Sequence, residues 1–510
     1  MSYKKSIIKS TILVTMVTFL TKFLGLIKQS VLAAVCGATN ETDAFFVGSG
    51  VVTSLCIVIY SAISISLLSL HTDELVKHGR KQSNELINAA LRAFLPISLV
   101  ISLLFYFFPY QIGGFLAPSY EGTQRALLSH YIQIMAVSFI LWCYYLIINV
   151  VLETDKIFTP GKMYNLFQNA FITIAALVFY QKCGVKALLY AFLLASFAQC
   201  VLVTWCARKQ FKFLLYKIGA TNEIKNLLSL SIPLIVGNAI YEINDIVDKQ
   251  ISTGLGFGNV SYLTYGQTID QIVTGVIVSS VSTVLFAHFA SWIAEGQTEK
   301  VEHNLENSIE YLIILILPIA AMCIAAGDQI IQILYGRGNF DSHDVGMTYG
   351  VVVGYAVGFV FQAARANIVK VFYAFKDTKE PMINGAVAVT VNIILSIILS
   401  KFIGVSGVAI ATSIAMFLVT ILLLKDVKKY LPGLSLFRCT NECLKGVIAG
   451  IIATLVIWFV HSAIAMQISA FVALIIEGIS CIGVYVGILF ILKSRCIRGI
   501  WTKAISTLVK

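Results

Sequence analysis

Charged residues are scarce in this chain of 510 residues. They make up 12% of the sequence, whereas 58% is hydrophobic and the mean hydropathy is +0.86. A soluble protein of average composition has about a quarter charged residues, so this composition excludes an ordinary soluble protein and indicates one built for lipid. The connections between hydrophobic runs are also short, with the longest at about 15 to 20 residues. We therefore expect no separate soluble domain.

Motifs for covalent catalysis and nucleotide hydrolysis are lacking. No P-loop, GxSxG or HExxH pattern occurs, and the seven histidines do not have the spacing of metal ligands. The eleven cysteines include no CxxC pair, as expected of small buried side chains and reduced thiols. We expect no enzyme activity and no cofactor. Any work must then be driven by a gradient of an ion or of the substrate.

Hydrophobic runs long enough to cross a bilayer, about 20 residues each, are abundant. Their number predicts an all-α polytopic membrane protein with about 14 transmembrane helices. No cleavable signal-peptide pattern precedes the first run, so we expect its helix to be retained. The predicted spans are 7–34, 44–70, 87–109, 128–152, 160–182, 184–207, 224–253, 260–292, 306–328, 345–374, 382–403, 405–425, 441–465 and 468–493.

Lysine and arginine are distributed unevenly between the two sides of the predicted membrane. With the N-terminus inside, 26 of them lie in cytoplasmic loops and tails and five in outer loops. This bias predicts a multi-pass protein of the bacterial cytoplasmic (inner) membrane with both termini in the cytoplasm. It also accounts for the net charge of +11, so nucleic acid is not an expected partner. The outer five are Arg125, Lys182, Lys186, Arg337 and Lys401.

The chain contains a weak internal repeat with a nearly constant offset in residue number. Three pairs of similar segments show it, with 249 − 28 = 221, 376 − 156 = 220 and 404 − 184 = 220, centred on Lys28 and Lys249, Lys156 and Lys376, and Gly184 and Gly404. Each copy holds six helices, so the copies share one orientation about an axis along the membrane normal. We predict an N-lobe at 1–215, a C-lobe at 216–430, and two further helices with a cytoplasmic tail at 431–510.

Two lysines, Lys22 and Lys28, lie inside the first hydrophobic run with no acidic residue beside them. A charge at the centre of a bilayer helix costs roughly 2.5 to 3.5 kcal/mol on insertion scales, so it usually faces a wet cavity lined by protein. An anionic ligand is the simplest partner, and Gly25 would let a ligand or another helix approach closely. The alternative is that the lysines reach the membrane surface. Arg365 and Lys370 on the tenth run are further cationic candidates.

The seventh run carries acidic residues in the segment YEINDIVDKQI, where Glu242, Asp245 and Asp248 recur every three residues. Neighbouring carboxylates in a low dielectric cannot all stay ionised at low cost. They must bind a cation, hold protons or pair with Lys249, which lies one turn from Asp245. Two interpretations stay open, a site for Na⁺ or H⁺ and an internal patch of ion pairs.

Four segments resemble motifs of the MurJ/MviN lipid II flippases. The first, TKFLGLIKQSVLAAVCGATNETDAFFV, is similar to the family's S-R-x-L-G-F-x-R-D, F-G-A and T-D-A-F. LYGRGNFDSHDV resembles L-F-x-R-G-x-F, and VFYAFKDTKEP resembles F-Y-x-x-x-D-T-x-T-P. VNIILSIILSKFIGVSGVAIATSIA resembles N-x-x-L…G-x-x-G-x-A-L-A-T-S. The matches run in order from about residue 10 to 425. They indicate the multidrug, oligosaccharidyl-lipid and polysaccharide exporter superfamily, and its MurJ branch in particular.

The resemblance implies a V-shaped transporter of two lobes that flips undecaprenyl-pyrophosphate-linked saccharides, with the headgroup in a cationic cavity and the lipid tail in a groove of the last two helices. Lys22 and Lys28 fall on the family's first-helix arginines, and Asp43 falls on the aspartate of T-D-A-F, which implies substrate binding. The resemblance also implies a cation site at Asp248, Asn392, Thr412 and the carbonyl of Val408. The expected partners are the lipid substrate and membrane lipids, and the expected state is a monomer.

This chain departs from the family pattern at several cavity positions. Lysine replaces arginine at both first-helix sites, which removes the bidentate fork that suits pyrophosphate. Gln29, Thr268 and Ser396 stand where the family has aspartate, arginine and, in some members, a second carboxylate. The second helix also lacks the family's P-N-L-L-R-R run. The resemblance therefore implies a less basic cavity than is typical of the family.

The sequence thus predicts a flippase that moves a polyprenyl-pyrophosphate saccharide from the inner to the outer leaflet by alternating access, coupled to an ion or to the membrane potential. Lipid II and a related cell-envelope polysaccharide unit are both open as substrates. The first alternative is a cation-coupled multidrug exporter of the same superfamily, in which Lys22 and Lys28 would be dispensable. A membrane scaffold without transport activity is the more distant alternative.

Overall fold

The computed structural model describes residues 2–213, 221–464 and 468–498. Helices make up most of these ranges and no β-strand occurs within them, so the predicted all-α polytopic fold is confirmed. The helices are α1 (Ser2–Cys36), α2 (Asn40–Cys56), the π-helical segment π1 (Ile57–Ser61), α3 (Ala62–Phe107), α4 (Pro109–Leu116), α5 (Gly122–Met135), α6 (Ser138–Thr154), α7 (Thr159–Lys162), α8 (Tyr164–Cys183), α9 (Lys186–Ala207), α10 (Thr221–Thr253), α11 (Asn259–Ile272), π2 (Val273–Val278), α12 (Ser279–Ala294), α13 (Thr298–Ala325), α14 (Gly327–Leu334), α15 (Ser342–Ala356), α16 (Phe359–Ala374), α17 (Lys379–Ile403), α18 (Val405–Val427), α19 (Leu436–Ile464) and α20 (Ala470–Ile491).

Eleven helical runs among the described residues are long and apolar enough to cross a bilayer. The number rises to twelve if α15 and α16, which meet at an angle of 43°, form one span. One run, Asn40–Phe107, has 68 residues and would extend about 100 Å if straight, against a hydrocarbon core of about 30 Å. It contains the second and third predicted spans, while π2 divides the eighth into α11 and α12. The count of fourteen stays a prediction.

Helix α3 continues through the connection that the sequence places in the cytoplasm, at residues 71–86. An ion pair and a hydrogen bond, each one turn apart, support it there, with Lys77 Nζ 3.5 Å from Asp73 Oδ2 and His78 Nδ1 2.8 Å from Glu74 Oε2. The helix is kinked at Gly79, where φ is 80°, a conformation that glycine adopts at low cost. The polar connection is thus helical on both sides of one kink.

The chain divides into two compact units by its packing. The first runs to Ser261 and includes the turn Gly338–Phe340, and the second comprises Tyr262–Arg337 and the chain from Asp341 onward. Helix α10 packs against α2 and α3 and therefore belongs to the first unit. The repeat instead places this helix at the start of the second lobe. The predicted lobe limits describe the repeat rather than the packing, and they stay a prediction.

Each unit has its own hydrophobic core. In the first unit, α3 packs on α6, α6 on α9, and α8 on both α1 and α9. In the second unit, one cluster forms around Phe289, Ile368 and Phe372, and a second joins α13, α19 and α20 around Ile457 and Tyr485. The two last membrane helices are therefore anchored on α13.

Two glycine turns repeat one backbone conformation. Gly184 has φ 57° and ψ −150°, and its counterpart in the second copy of the repeat, Gly404, has φ 61° and ψ −146°. Each N–H donates to the carbonyl four residues earlier, over 2.7 Å to Tyr180 and 3.0 Å to Ser400. The segments π1 and π2 begin at residues 57 and 273, and their offset of 273 − 57 = 216 is close to the offset of the repeat. Local geometry thus supports the repeat that the sequence predicts.

Candidate functional site

The two candidate lysines lie on α1 and have no protein partner among the described residues. Lys22 is exposed and Lys28 is half-buried, and neither forms a hydrogen bond or ion pair with any residue that the structure describes. The helix approaching at Gly25 is α8, whose Asn169 donates its Nδ2–H to the carbonyl of Thr21 over 3.1 Å. Gly25 thus serves helix packing, and both ammonium groups are left available to an external anion.

Gln29 follows Lys28 directly and stands where the family has an aspartate. Its side chain is buried, and its amide oxygen has no hydrogen-bond partner among the described residues. A buried acceptor without a partner is uncommon and requires an explanation such as water or a ligand donor. The amide places an acceptor next to Lys28 without adding a negative charge that would neutralise it.

Asp43 on α2 is fully buried, and both of its carboxylate oxygens are engaged. One oxygen accepts from the backbone N–H of Gly258 over 2.7 Å, and the other from the N–H and hydroxyl of Ser261 over 2.8 and 2.6 Å. These N–H groups begin α11, where a carboxylate satisfies unpaired donors and the positive end of the helix dipole. Asp43 on α2 therefore caps a helix that is distant from it in sequence. The implied role in substrate binding stays a prediction.

The GRGNF motif caps the other end of α1. Asn339 donates its backbone N–H to the carbonyl of Ala34 over 2.9 Å and its Nδ2–H to the carbonyl of Val35 over 2.7 Å. Gly338 has φ 64°, and a β-carbon there would collide with the Ala34 carbonyl. The motif thus satisfies the last carbonyls of α1, which the helix itself leaves without donors. The sequence marked this motif only through its resemblance to the family's L-F-x-R-G-x-F segment.

The acidic stripe of α10 contains one of the two arrangements that the sequence left open, an ion pair, while the cation site stays a prediction. Lys249 Nζ is 2.6 Å from Asp245 Oδ2, so these two form an ion pair. Asp248 is buried and accepts from Asn244 Nδ2 over 3.0 Å. Lys249 crosses α2 at Gly50, where a β-carbon would lie 2.5 Å from its Nζ. A β-carbon at position 50 would therefore displace the Lys249 ammonium, while Asp248 stays a candidate cation ligand.

Three of the four predicted cation ligands meet between α17 and α18. Asn392 Nδ2 is 3.0 Å from Thr412 Oγ1, and the Thr412 hydroxyl is 3.2 Å from the carbonyl of Val408. Ser396 Oγ lies 3.4 Å from Asn392 Oδ1. These are neutral oxygen donors of the type that hard cations prefer. Asp248 belongs to the first unit, so a site combining it with these residues stays a prediction.

The cations of α16 are placed differently from those of α1. Lys370 is half-buried, with its Nζ 5.5 Å from the ring centroid of Phe286 and 5.8 Å from that of Tyr373. Such cation–π contacts stabilise a charge within an apolar region. Arg365 is also half-buried and lies more than one turn earlier on the same helix. Both stay candidates for substrate binding.

One carboxylate of the membrane region was not singled out from the sequence. Asp270 on α11 accepts a hydrogen bond from Gln362 Nε2 of α16 over 2.8 Å, directly before π2. An ionisable residue inside a membrane span is a functional candidate by default, and π-helical segments frequently mark functional sites. The segment YGQTID contained this signal, but the comparison with the family drew attention to Thr268 instead. No group of three or more His, Cys, Asp or Glu side chains suited to a metal ion occurs within the described ranges.

The fold and these sites define a multi-pass, all-α membrane transporter with available cations in its first helix. The family model described as lipid II flippase MurJ matches residues 32–477, and the chain belongs to that family. A probable lipid II flippase MurJ of Treponema pallidum (strain Nichols) is 23% identical over 453 residues, covering 84% of this chain and 83% of that protein. Another, of Rhizobium meliloti (strain 1021), is 24% identical over 435 residues, covering 80% and 78%.

Solved structures show the same fold. A structure of lipid II flippase MurJ in an inward closed conformation has a TM-score of 0.81 and 24% identity, covering 96% of this chain and 99% of that one. A multidrug resistance MATE transporter in an inward-facing conformation has a TM-score of 0.70 and 13% identity, covering 81% and 95%. At these identities the likeness concerns the fold alone.

Proposed function

We propose that this protein is a lipid II flippase, which moves the undecaprenyl-pyrophosphate-linked muropeptide from the inner to the outer leaflet by alternating access. The supporting observation is that Lys22 and Lys28, which the sequence resemblance aligns with the family's first-helix arginines, have no partner among the described residues. A membrane helix with two unneutralised charges is costly unless a ligand or water meets them. A diphosphate supplies the opposite charge.

The two lysines define how the headgroup would be held. An ammonium is a compact point charge with three donors, whereas guanidinium binds phosphate oxygens in a fixed bidentate geometry. Lysines therefore neutralise a diphosphate without fixing its orientation as strictly. We expect recognition of the sugar and peptide to depend on other groups, and Arg365 is a candidate.

We further propose coupling to Na⁺ or H⁺ through Asp248 with Asn392, Thr412 and the Val408 carbonyl. All four supply oxygen atoms, which suits a hard cation. Serine at position 396 leaves this set with a single carboxylate, so the set has one negative charge to balance one monovalent cation. Proton binding at Asp248 would satisfy the same balance. The ion itself is open between these two.

The proposal includes an orientation and a state of assembly. The bias of basic residues toward one set of loops supports cytoplasmic N- and C-termini. We propose that the protein works as a monomer, with the lipid substrate and membrane lipids as its partners and without any covalent step. The multidrug-export alternative is not favoured, because the family model and the relatives compared above are lipid II flippases, whereas the likeness to MATE transporters is one of fold.

The test is transport of fluorescent lipid II in proteoliposomes, measured by quenching from the side to which it is moved. Lys22→Glu and Lys28→Met are expected to reduce transport at least tenfold while insertion and thermal stability are unchanged. The matched control is Lys401→Met, since Lys401 is an exposed lysine at the end of α17 outside the candidate site. Wild-type transport by both α1 variants would refute the anionic site. Drug export by the wild-type protein without lipid II transport would favour the multidrug alternative.

A further inference from the structure

A groove between α8 and α9 is not accounted for by lipid II transport. It has a volume of about 780 Å³, and apolar side chains form its walls, among them Phe171, Ile174, Phe179, Tyr190 and Leu194. Several of these are exposed, for example Ile174 at 52% and Leu194 at 55%. The volume lies within the range of small-molecule sites, about 300 to 1,000 Å³. The groove is therefore large enough for a lipid chain.

Two lysines lie at one end of this groove. Lys182 is in the last turn of α8 and Lys186 in the first turn of α9, on either side of the Gly184 turn. Both are exposed, and neither forms an ion pair or hydrogen bond with any residue of the described ranges. Glu41 approaches the same turn at Gly184 but pairs with neither lysine. The mouth of the groove thus carries a net positive charge.

The position of Lys186 is unusual on electrostatic grounds. A cation in the first turn of a helix meets the positive end of the helix dipole, which disfavours it by a few tenths of a kcal/mol or more. An anion bound there would be favoured by the helix dipole and by both lysines. The lysines are also absent from the second copy of the repeat, where Phe402 and Ser406 stand at the equivalent positions.

The two outer arginines, unlike Lys182 and Lys186, have hydrogen-bond partners within the protein. Arg125 donates to the carbonyl of Tyr110 over 3.2 Å and stacks on its ring, with Cζ 4.4 Å from the ring centroid. Arg337 donates to the carbonyls of Ile333 and Leu334. Lys182 and Lys186 are instead two exposed outer lysines without a described partner, and they lie together at the mouth of one apolar groove.

The length of the groove indicates the kind of lipid. Phe171 and Lys182 are about three turns of α8 apart, or about 17 Å at 1.5 Å per residue. One leaflet contributes about half of a hydrocarbon core of about 30 Å. An acyl chain of a phospholipid matches this depth, whereas an extended polyprenyl tail is longer than one leaflet.

We infer that the groove between α8 and α9 binds one anionic phospholipid, with its phosphate at Lys182 and Lys186 and an acyl chain along the apolar walls. The site is separate from the lysines of α1. Only its assignment to the outer leaflet rests on the orientation proposed above. A basic pocket between membrane helices is the established chemistry for recognising acidic headgroups.

The test is lipid titration of the full-length protein by native mass spectrometry, using phosphatidylglycerol and phosphatidylcholine with identical chains. We expect tighter binding of phosphatidylglycerol, and the double variant Lys182→Gln/Lys186→Gln is expected to weaken it about thirtyfold. Binding of phosphatidylcholine should be unchanged in this variant. Ile174→Trp, which fills the groove from an exposed wall position, should weaken both lipids while the lysines stay in place.

Lys401→Gln is the matched control, because it removes one exposed lysine from the end of α17 and should leave phosphatidylglycerol binding unchanged. The inference is refuted if the double variant binds phosphatidylglycerol like the wild type, or if Lys401→Gln causes the same loss. It is equally refuted if undecaprenyl phosphate binds at Lys182 and Lys186 and phosphatidylglycerol does not. None of these outcomes depends on transport, so the flippase proposal is tested separately.

Discussion

Lys156 and Lys376, which occupy equivalent positions in the two copies of the repeat, have the same rare backbone conformation. Their φ angles are 63° and 62°, and they are two of the three described residues other than glycine with positive φ. The same two backbone hydrogen bonds close both turns. In the first turn the N–H of Lys156 donates to the carbonyl of Glu153, and that of Ile157 to the carbonyl of Leu152. In the second turn the N–H of Lys376 donates to the carbonyl of Tyr373, and that of Asp377 to the carbonyl of Phe372. The internal repeat therefore extends to the dihedral angles of individual turns.

Because of this conformation, glycine at position 376 should make the folded protein more stable than lysine does. A left-handed backbone costs an L-residue roughly 1 to 2 kcal/mol, and glycine avoids this cost at the expense of some unfolded-state entropy. Lys376 is exposed, so its side chain contributes little packing. Lys376→Gly is therefore expected to stabilise the protein by about 0.5 to 1 kcal/mol. The measurement is the thermal unfolding midpoint in detergent, which should rise. Lys428→Gly is the control and should lower the midpoint, because Lys428 has φ −60° at a helix end. A lower midpoint in both variants would contradict the prediction.

Gly407 allows α17 and α18 to touch. A β-carbon there would lie 2.5 Å from the backbone carbon of Leu399 and 2.6 Å from its oxygen, and backbone cannot move aside as a side chain can. Gly407→Ala is expected to destabilise the protein by about 1 to 3 kcal/mol and to disturb the neighbouring Val408 carbonyl. Thermal unfolding in detergent is the measurement. Gly483→Ala is the control, since nothing lies near its β-carbon position, and an equal loss in that variant would exclude the close contact as the cause.

His461 connects α19 to two carboxylates. Its Nδ1 is 2.9 Å from Oε1 of the fully buried Glu477, and its Nε2 is 3.2 Å from Oδ2 of Asp328. His461→Phe leaves Glu477 without this partner, which costs roughly 3 to 5 kcal/mol when a buried charge is involved. Thermal unfolding should therefore occur at a clearly lower temperature, and adding Glu477→Gln should recover most of the loss. His78→Phe, at an exposed histidine with a similar contact to Glu74, should have little effect.

The cap formed by Asp43 can be separated from a role in substrate binding. Asp43→Ala leaves the buried N–H groups of Gly258 and Ser261 without acceptors, and we expect a loss of about 2 to 3 kcal/mol. Asp341→Ala removes an exposed cap from α15 and should cost less, about 0.5 to 2 kcal/mol. Thermal unfolding and lipid II binding are measured together. A stable Asp43→Ala variant that fails to bind lipid II would assign Asp43 to the substrate instead.

The proposed coupling predicts different effects for two carboxylates of α10. Asp248→Asn removes the single charge of the proposed cation site, so transport should lose its dependence on Na⁺ or on pH. Asp245→Asn breaks the ion pair with Lys249 and should lower stability while the ion response is kept. Transport in proteoliposomes with imposed Na⁺ and pH gradients is the measurement. An unchanged ion response in Asp248→Asn would count against this site.

The sequence predicts the membrane class and the unusual residues well, because both depend on local properties. Long apolar runs with few charges identify the helices, and a charge inside such a run is visible without a structure, as with Lys22 and Lys28. The limits of the spans are harder to predict. Polar residues from Asp73 to His78 were expected to form a loop, but pairs one turn apart keep them helical within α3.

Contacts between distant segments could not be predicted from local pattern. Asp43 on α2 meets the start of α11, and Asn339, far along the chain, meets the end of α1. Both are backbone caps, for which almost any polar side chain in the right place suffices, so the sequence carries little information about the partner. The resemblance to the family marked both segments as important without indicating this role.

The attachment of Gly338 and Asn339 to the end of α1 bears on how this protein can be labelled. An epitope or fluorophore inserted between these residues would displace the donors that terminate the first helix, and the signal would report a damaged molecule. Gly296, whose β-carbon position faces open space, is a better insertion point, in the turn between α12 and α13.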